Sequence, residues 1–496
     1  MNTAYVNSHD FSFFNTAKQQ LNDMIDYLCC EGHLSEEHGE IERYIQQQGH
    51  ELLRRLLQGH LDLRAHEEVK QDNVVNPQGE PLTHFRANTT TTLSSLFGEV
   101  TVTRHGYNKR QTKSVFPLDA QLNLAKDQYS DGLRLQLAAQ INHCAYDHAI
   151  EHIKNTTGGK IAKRQCLELV QDMAQDFEGY YRQNRYVEAE PTTDLLVLTF
   201  DGKGVVMRPD SLRACTKKKA QHAKKLNSRL SAGEKKDRKR MAQVASVYTV
   251  MPHLRSAESV MKMEDEEKVH TLRVPARNKR VWAIVKQDAS MVIEDAFEEA
   301  LQRDPKQARA WVVVIDGHPA QRKMIEKAAK KFNVNITIVL DFIHVLEYLW
   351  KAAWSFFDKG DEAVEDWVAK YAMKILKGQS SQVAKGLKQS ATKRNLLKRT
   401  GVDTCAKYLL NNTKRLRYDV ALSSGFPIAS GIIEGACRHL INDRLDITGA
   451  RWCLEGAEAL LKLRSLKSSG HFNDYWVFHK QQSRSRLYEI GLDNML

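Results

Sequence analysis

The stretch LLVLTFDG (residues 195–202) is an apolar run that ends in an aspartate followed at once by a glycine. A second stretch, WVVVIDG (residues 311–317), has the same form. Apolar runs of this length are typical of buried β-strands, and Asp-Gly predicts a strand end with a sharp turn. The two stretches therefore predict that Asp201 and Asp316 lie at the edge of a sheet, open to solvent and cations.

The segments around these two strands predict an α/β fold. Three further apolar runs predict strands, and two segments with apolar positions at three-to-four spacing predict helices. Three strands, a helix, a strand, a helix and a strand is the order of an RNase H-like fold, a mixed sheet with helices on both faces. The expected elements are strands 195–200, 243–250 and 280–285, helix 289–303, strand 311–315, helix 319–332 and strand 336–340.

The remaining sequence patterns divide the chain into five expected regions. They are a helical N-terminal region, a small β element with a helix-turn-helix-like region, the first part of the RNase H-like core, an all-helical insertion, and a C-terminal region that begins with the helix of Glu434. The first two are the mostly helical N-terminal regions expected to contact DNA. The bounds are 1–90, 91–185, 190–344 (with a basic insertion at 217–240), 345–429 and 430–496.

Composition narrows the class of protein. The chain carries a net charge of +12, which favours a polyanionic partner. No apolar run approaches the 18 residues of a membrane span, and the first residues lack the pattern of a signal peptide, so we expect a cytoplasmic protein without a membrane partner. The eight cysteines form no C-x-x-C pair, which argues against a zinc site and favours reduced, buried thiols.

A third acidic residue completes a candidate catalytic site. Glu434 stands in SGIIEGACRHL, where we expect a helix. In an RNase H-like fold the acids of the first strand, the fourth strand and a later helix converge at one edge of the sheet. We therefore predict that Asp201, Asp316 and Glu434 are catalytic and bind two divalent ions, Mg²⁺ or Mn²⁺, which prefer oxygen ligands. Such a site cleaves and joins phosphodiesters.

Four nearby residues are auxiliary candidates. Asp341 ends the fifth strand and, with His344, has D-x-x-H spacing; the pair is either part of the metal surroundings or a local brace. Asp341 is also the main rival of Asp316 as the second catalytic acid, although we rank Asp316 first. Arg438 and Asn442 follow Glu434 one and two helical turns on, so all three are expected to share a helix face. Arg438 then either holds a phosphate or pairs with Glu434.

Basic clusters are the candidate DNA contacts. Residues 217–240 contain eleven Lys or Arg against two acids, and no apolar periodicity marks their basic part. A solvated helix face is the ordinary alternative for each cluster. Beside an acidic site, however, basic surface is needed to hold nucleic acid. The candidates are Lys160, Lys163 and Arg164 at the start of a third short helix, Lys217, Lys218, Lys219, Lys224 and Lys225, and Lys393, Arg394, Arg415 and Arg417.

Several longer motifs resemble one family, the bacterial insertion-sequence transposases of the ISKra type within the Mutator-like DDE enzymes. The resemblance covers roughly residues 93–465. It implies an RNase H-like domain interrupted by a helical insertion, and a catalytic triad at Asp201, Asp316 and Glu434. It also implies a C/D-x-x-H signature, matched by Asp341 and His344. The motifs are LFGEVTVTRHGY, VFPLDAQLNL, YSDGLRLQLA, TFDGKG, VVVIDGHP, LDFIHVLEYLW and SGIIEGACRHLINDRLDITGARW.

The resemblance implies a DNA transposase in the bacterial cytoplasm, associated with the nucleoid. Its partners would be double-stranded DNA, both terminal inverted repeats and target DNA, and further copies of the chain in at least a homodimer. Two rivals remain open from the residues alone. One is a DNA-binding protein that has kept the fold without the catalysis, and the other is a host nuclease that cuts without joining.

Overall fold

The computed structural model shows a mixed α/β protein that is 57% helical, with a five-stranded mixed sheet and a two-stranded sheet. The chain forms two compact units, Met1–Asn184 with Asn473–Leu496, and Arg185–Phe472. These units are coarser than the five regions expected from the sequence, and the last of those regions, 430–496, is divided between them. The structure describes residues 11–76, 79–183, 190–222, 238–261, 274–358, 360–447 and 449–489.

The regular elements are numbered in chain order. The strands are β1 (His84–Ser95), β2 (Gly98–Asn108), β3 (Leu195–Val206), β4 (Lys239–Val250), β5 (Arg277–Ile284), β6 (Trp311–Ile315) and β7 (Ile336–Leu340). The helices are α1 (Asn15–Cys29), α2 (His38–His66), α3 (Pro117–Gln121), α4 (Asp131–Ile141), α5 (Tyr146–Thr156), α6 (Lys163–Met173), α7 (Phe177–Gln183), α8 (Ala214–His222), α9 (Ala257–Met261), α10 (Ala289–Arg303), α11 (Pro319–Lys331), α12 (Phe342–Ala353), α13 (Ala363–Leu376), α14 (Ser380–Lys393), α15 (Thr400–Asn411), α16 (Tyr418–Ser423), α17 (Gly431–Cys437), α18 (Asp443–Leu445), α19 (Leu454–Ser468) and α20 (Phe472–Arg484).

The first unit begins with an antiparallel pair of helices laid on a β-hairpin. The long helix α2 packs Leu61 against Leu93, Val100 and Val102 of the hairpin β1–β2. Alternating burial along β2 explains this arrangement, because one face of a two-stranded sheet must be covered to be stable. The small β element expected from the sequence is a hairpin, in which Gly98 opens β2 with a φ of 129°, a backbone conformation that other residues rarely adopt.

Three short helices follow in the same unit, as the sequence predicts. The hydroxyl of Ser130 caps α4 by accepting a hydrogen bond from the Leu133 amide at 3.3 Å. Buried Arg134 then ties α4 to its surroundings through ion pairs with Asp127 and, at 2.6 Å, with Asp172 of α6. The three helices therefore pack together around Arg134, a buried cation that is paired with two carboxylates.

The second unit is built on the five-stranded sheet, whose order is β5-β4-β3-β6-β7. Strands β5, β4 and β3 are antiparallel neighbours, whereas β3, β6 and β7 run parallel. Every residue of β6 is buried, as expected of a central strand covered on both faces. The predicted order of three strands, a helix, a strand, a helix and a strand is confirmed, with the short helices α8 and α9 added between the first three strands.

One prediction about β3 is wrong. The strand does not end in a turn at Asp201, because it continues through Gly202 and Gly204 to Val206, still paired with β4. The antiparallel ladder supplies partners for these backbone groups, so the glycines are not needed for a turn and neither has a positive φ. The parallel partner β6 pairs only with Leu196–Thr199. Asp201 lies beyond this parallel pairing, on a part of β3 that β6 does not reach, and the Trp452 amide donates to the Val206 carbonyl at 3.1 Å at the end of the strand.

The outer edge of β5 is covered by side chains of the α19 segment. Glu458 accepts hydrogen bonds from the amides of Val285 and Lys286 at 2.8 and 3.1 Å. The hydroxyls of Ser465 and Ser469 accept from the amides of Ala283 and Val281 at 3.2 and 3.0 Å. An edge strand with unpaired amides invites wrong pairing with another chain, and this cover removes that risk.

Between β7 and the helix of Glu434, every regular element in the described part of the chain is a helix, from α12 to α16. The regular elements within the expected region 345–429 are helices, and the first of them already begins at Phe342. Its core is formed by one buried stripe on each helix, for example Leu349 on α12 and Leu409 on α15. As for the membrane, no helix among the described residues has both the length and the apolar character to cross one.

Candidate active site

Three aspartates form a row across the parallel half of the sheet. Thr199 of β3 is in register with Val314 of β6, and extending this register by two residues brings Asp316 opposite Asp201. Ile315 is likewise in register with Leu340 of β7, and the Asp341 amide donates to the Ile315 carbonyl at 2.9 Å. The three acids, which are distant in sequence, therefore lie at the same end of neighbouring parallel strands, and the charges of both Asp201 and Asp316 act on Lys203.

Asp201 is held by three groups. Its Oδ1 accepts a hydrogen bond from the Gly202 amide at 2.6 Å, and its Oδ2 accepts one from the Cys437 thiol at 3.1 Å. The Lys203 ammonium lies 3.3 Å from the same Oδ2. Although partial burial acts to lower the pKa of Lys203, the charges of Asp201 and its neighbours raise it overall. Lys203 therefore stays a cation beside the carboxylate.

Asp316 follows β6 directly, as predicted, and its chain turns at Gly317 with a φ of 89°. The Nε2 atom of His344 lies 3.0 Å from Asp316 Oδ2. The Tyr408 hydroxyl donates to the Asp316 backbone carbonyl at 2.9 Å, which anchors the turn to α15. About a third of the Asp316 side chain is exposed, so its carboxylate is reachable from solvent.

Asp341 has a different role from the other two aspartates. It is 1% exposed, and both of its carboxylate oxygens are used inside the protein. Oδ1 caps α12 by accepting from the Ile343 amide at 2.7 Å, while Oδ2 accepts from the Ser430 amide at 3.0 Å and from the Ser430 hydroxyl. Ser430 immediately precedes α17. Asp341 thus joins the end of β7 to the start of the helix that carries Glu434.

Glu434 lies on the first turn of α17, which packs against β3 and β4. Ile433, Ala436 and Cys437 form the buried side of the helix. Desolvation raises the pKa of Glu434, and the negative charges of Asp341 and Asp316 raise it further. His344 and Lys203 act in the opposite direction. Glu434 therefore lies within electrostatic reach of Asp341, Asp316, His344 and Lys203.

The site therefore gathers an excess of carboxylates with two protein cations among them. Lys203 and His344 supply the positive charge that offsets Asp201 and Asp316. Within the described part of the chain, no three His, Cys, Asp or Glu side chains are close enough together to hold a metal ion. The oxygen-rich set of Asp201, Asp316 and Glu434 suits Mg²⁺ or Mn²⁺ in chemistry. Binding would require that these carboxylates exchange their protein cations for metal ions.

The expectation for Arg438 and Asn442 is corrected. The α-helix ends at Cys437, and residues Arg438–Asn442 form a π-helical turn. A π turn advances the chain by more residues per turn than an α-helix, so the one-face spacing assumed from Glu434 does not hold. Arg438 instead faces Asp443 at 3.7 Å, and both side chains are exposed. The proposed brace between Arg438 and Glu434 is not formed.

The predicted DNA-contacting residues differ in their exposure and in whether they pair with an acidic side chain. Lys160, Lys163 and Arg164 are exposed; Lys163 and Arg164 begin α6, whereas Lys160 lies three residues before the helix. Lys163 pairs with Asp147 at 2.8 Å. Exposed Lys217, Lys218 and Lys219 lie on α8, which has no buried residue, as expected of a solvated helix. Lys224 and Lys225 lie outside the described residues.

Most of the predicted basic residues of the helical block already contact another side chain. Lys393 is exposed at the end of α14, and the Arg394 guanidinium lies 5.5 Å from the centre of the Phe356 ring. Arg415 pairs with Glu326 at 2.6 Å, and Arg417 with Asp419 at 2.8 Å. Lys393 therefore has the greatest freedom of the four to meet an anionic partner.

Sequence reasoning missed Lys203, Cys437, Ser430 and Tyr408. Lys203 had a usable signal, because a residue two positions after Asp201 in a strand points to the same face. Cys437 also had one, since it follows Glu434 by three residues on a helix. Tyr408 and Ser430 gave none, because their contacts depend on how the helical block returns to the sheet.

No family model matches the chain, and a comparison with curated proteins found no match. The resemblance to ISKra-type transposases therefore stays a prediction from the motifs.

The His344–Asp316 pair predicts a measurable titration. The hydrogen bond with Asp316 raises the pKa of His344 from its ordinary 6.5 to about 9. The pair should stabilise the fold fully below about pH 6.5, and this contribution should disappear as the pH rises through about 9. NMR titration of the metal-free protein should show His344 titrating near pH 9, and Asp316→Asn should move it toward 6.5. An unchanged titration in that variant would contradict the pairing.

Proposed function

We propose that this chain is a DDE-type transposase, which cuts DNA at the ends of its insertion sequence and transfers the resulting 3′-hydroxyls to target DNA. The observation that supports the proposal is that the charges of Asp201 and Asp316 both act on Lys203, while those of Asp316 and Lys203 act on Glu434. Phosphoryl transfer needs several carboxylates that are accessible from solvent, and the partly exposed Asp316 among acidic neighbours at this edge of the sheet supports the proposal.

The fold proposed for the second unit is RNase H-like, interrupted by the helical block α12–α16. The strand order, with three antiparallel strands followed by two parallel ones, supports this assignment. So does the chain path, which leaves the sheet after β7, passes through the helical block and returns at Ser430 beside Asp341. In this interpretation, the block is an insertion whose two ends are tied together next to the catalytic edge.

In the proposed mechanism, the chain positions a DNA strand against the carboxylates. Asp201 and Asp316 would then exchange their contacts with Lys203 and His344 for contacts with metal ions. A pair of bound Mg²⁺ or Mn²⁺ ions would activate the attacking water or 3′-hydroxyl and stabilise the departing oxygen. Asp201, Asp316 and Glu434 would hold these ions. Lys203 and His344, once displaced, remain close enough to offset charge on the phosphate. Asp341 holds the start of α17 and thereby fixes where Glu434 lies.

The proposed partners are double-stranded DNA, as terminal inverted repeats and as target, and further copies of the chain. The net charge of +12 supports a polyanionic partner, and we propose a location in the bacterial cytoplasm with the nucleoid. End recognition is proposed for Lys160, Lys163 and Arg164, whose exposed place at the start of a short helix suits contacts with a groove or its phosphates.

Incubation of the purified chain with the DNA that flanks its gene, in Mn²⁺, tests the proposal. We expect nicks at defined ends and products in which those ends are joined to a second DNA. Cleavage without joining would identify a nuclease instead. Stable binding without cleavage would identify a DNA-binding protein that lacks catalysis. Either outcome overturns the proposed function.

The basic segment 217–240 is predicted to bind the DNA backbone without reading sequence. Changing Lys217, Lys218, Lys219, Lys224 and Lys225 to Ala should lower affinity for specific and nonspecific DNA alike. The slope of log affinity against log salt should become shallower by about 0.9 for each phosphate that the variant no longer neutralises. Titrations at several salt concentrations measure this. A fall in specific binding alone, with an unchanged slope, would show that the segment reads bases.

A further inference from the structure

Lys203 stands on the same face of β3 as Asp201. The two residues are two positions apart in a strand, so their side chains leave the same side of the sheet. The Lys203 ammonium lies 3.3 Å from Asp201 Oδ2, the oxygen that also accepts a hydrogen bond from the Cys437 thiol. Because Cys437 belongs to α17, Lys203 lies on the side of the sheet that is covered by the helix of Glu434.

The charge of Lys203 reaches all three proposed metal ligands. The charges of Asp201 and Asp316 both act on Lys203. Lys203 in turn acts on Glu434. One positive charge of the protein therefore offsets three carboxylates that are distant in sequence, which is also what a bound metal ion does at a site of oxygen ligands.

His344, the other cation of the site, is placed differently. Its Nε2 lies 3.0 Å from Asp316 Oδ2, and its Nδ1 lies 3.7 Å from a carboxylate oxygen of Glu347, which is not a proposed ligand. Among the residues that the structure describes, Asp201 is the only acid with which Lys203 forms an ion pair. Lys203 is thus the cation that belongs wholly to the candidate site.

An ammonium and a divalent ion cannot both lie against Asp201, because they carry charge of the same sign and use the same carboxylate oxygens. Lys203 is able to leave. Its side chain is 42% exposed, and a lysine carries its charge on a flexible four-carbon stem. A DNA phosphate offers the ammonium another anion to bind.

We propose that Lys203 occupies the place of a metal ion at Asp201 in the DNA-free chain and moves to a DNA phosphate when DNA binds, so that DNA and metal strengthen each other's binding. The inference rests on the proposed function, because it takes the three acids as ligands and DNA as the partner. By linkage the coupling is reciprocal, so that bound metal also tightens DNA binding by the same factor. The chain then takes up its ions mainly where DNA is present.

Lys203→Met is the discriminating variant. Electron paramagnetic resonance of free Mn²⁺, titrated into the full DNA-free chain, measures metal affinity without any cleavage. Lys203→Met should bind Mn²⁺ at least tenfold more tightly than wild type, because the competing charge is gone, whereas Lys203→Arg keeps that charge and should show no gain. Lys331→Met is the matched control, since it removes a lysine that pairs with Glu294 at 2.6 Å between two helices that carry no proposed ligand.

A gain in metal affinity is a result that misfolding cannot imitate. Adding Asp201→Ala to the Lys203→Met chain should abolish the gain, which would locate the ion at Asp201. If the methionine variant does not fold, Lys203→Gln takes its place with the same expected result. The inference is overturned if removal of the Lys203 charge leaves Mn²⁺ affinity unchanged, or if Lys331→Met shows an equal gain.

A cut DNA end tests the coupling. Its addition should tighten Mn²⁺ binding to wild type at least tenfold, and to Lys203→Met by a smaller factor; equal factors would overturn the coupling. The test also separates this inference from the proposed function. Tighter Mn²⁺ binding by Lys203→Met in a chain that never cleaves DNA would refute the function and leave the competition at Asp201 standing. Cleavage by a wild-type chain whose Mn²⁺ affinity is independent of Lys203 would refute the inference alone.

Discussion

Asp201→Ala, Asp316→Ala and Glu434→Gln are each expected to abolish metal-dependent DNA cleavage while leaving binding to DNA ends within a few-fold of wild type. Each removes a proposed metal ligand and no proposed DNA contact. Removal of a residue that merely supports a ligand costs about 10- to 100-fold, so removal of a ligand should exceed this. Cleavage of end-labelled DNA and a parallel binding titration measure the two effects separately.

An exposed acid elsewhere in the second unit serves as the control for these variants. Asp288 pairs with Arg213 at the surface, so Asp288→Ala removes a carboxylate without touching the site. It should cleave like wild type. Wild-type cleavage in any one of the three site variants would remove that residue from the catalytic set, and equal loss of DNA binding in all three would refute the assignment.

Asp341→Ala should have the largest effect on stability. The buried carboxylate accepts hydrogen bonds from the Ile343 amide and from two groups of Ser430, and alanine would leave these donors unpaired. Each buried unpaired donor costs about 1–3 kcal/mol, so the loss of partners for three donors should lower the free energy of unfolding by at least about 3 kcal/mol. Urea unfolding of each variant measures this fall.

Two milder variants separate the two roles of Asp341, the cap on α12 and the hydrogen bonds to Ser430 at the start of α17. Asp341→Asn keeps an oxygen and should lose less stability than alanine, with a milder cleavage defect than Asp316→Ala. Ser430→Ala removes only the hydroxyl and should cost about 1 kcal/mol. If Asp341→Ala unfolds like wild type but cannot cleave DNA, Asp341 is itself a metal ligand and its ranking below Asp316 is wrong.

Much of the second unit followed from local patterns. The bounds of β6 and β7 agree with prediction, because the fully apolar β6 and the mainly apolar β7 differ clearly from their polar flanks. The end of β3 differs from the prediction. Its last residues are stabilised by pairing with β4, and no local sequence pattern encodes that register. Asp201 was therefore found, but its setting within a strand was not.

In the site too, local patterns predicted the acidic residues but not the residues that contact them. Apolar runs ending in aspartate predicted Asp201 and Asp316, and the helical pattern predicted Glu434. The partners that hold these acids come from distant parts of the chain: Cys437 donates to Asp201, and Tyr408 to the backbone of Asp316. The π turn after Cys437 also escaped prediction, because an α-helix and a π turn share the same apolar spacing over so few residues.

The central claim is that Asp201, Asp316 and Glu434 bind the ions that cut DNA. Diffraction from crystals of the chain with a cut DNA end and Mn²⁺, recorded at a wavelength where Mn²⁺ scatters anomalously, tests it most directly. We predict two anomalous peaks between these carboxylates and the DNA phosphate, with Lys203 and His344 withdrawn from Asp201 and Asp316. Bound DNA with both ion pairs intact, and Mn²⁺ absent from all three carboxylates, would contradict the account.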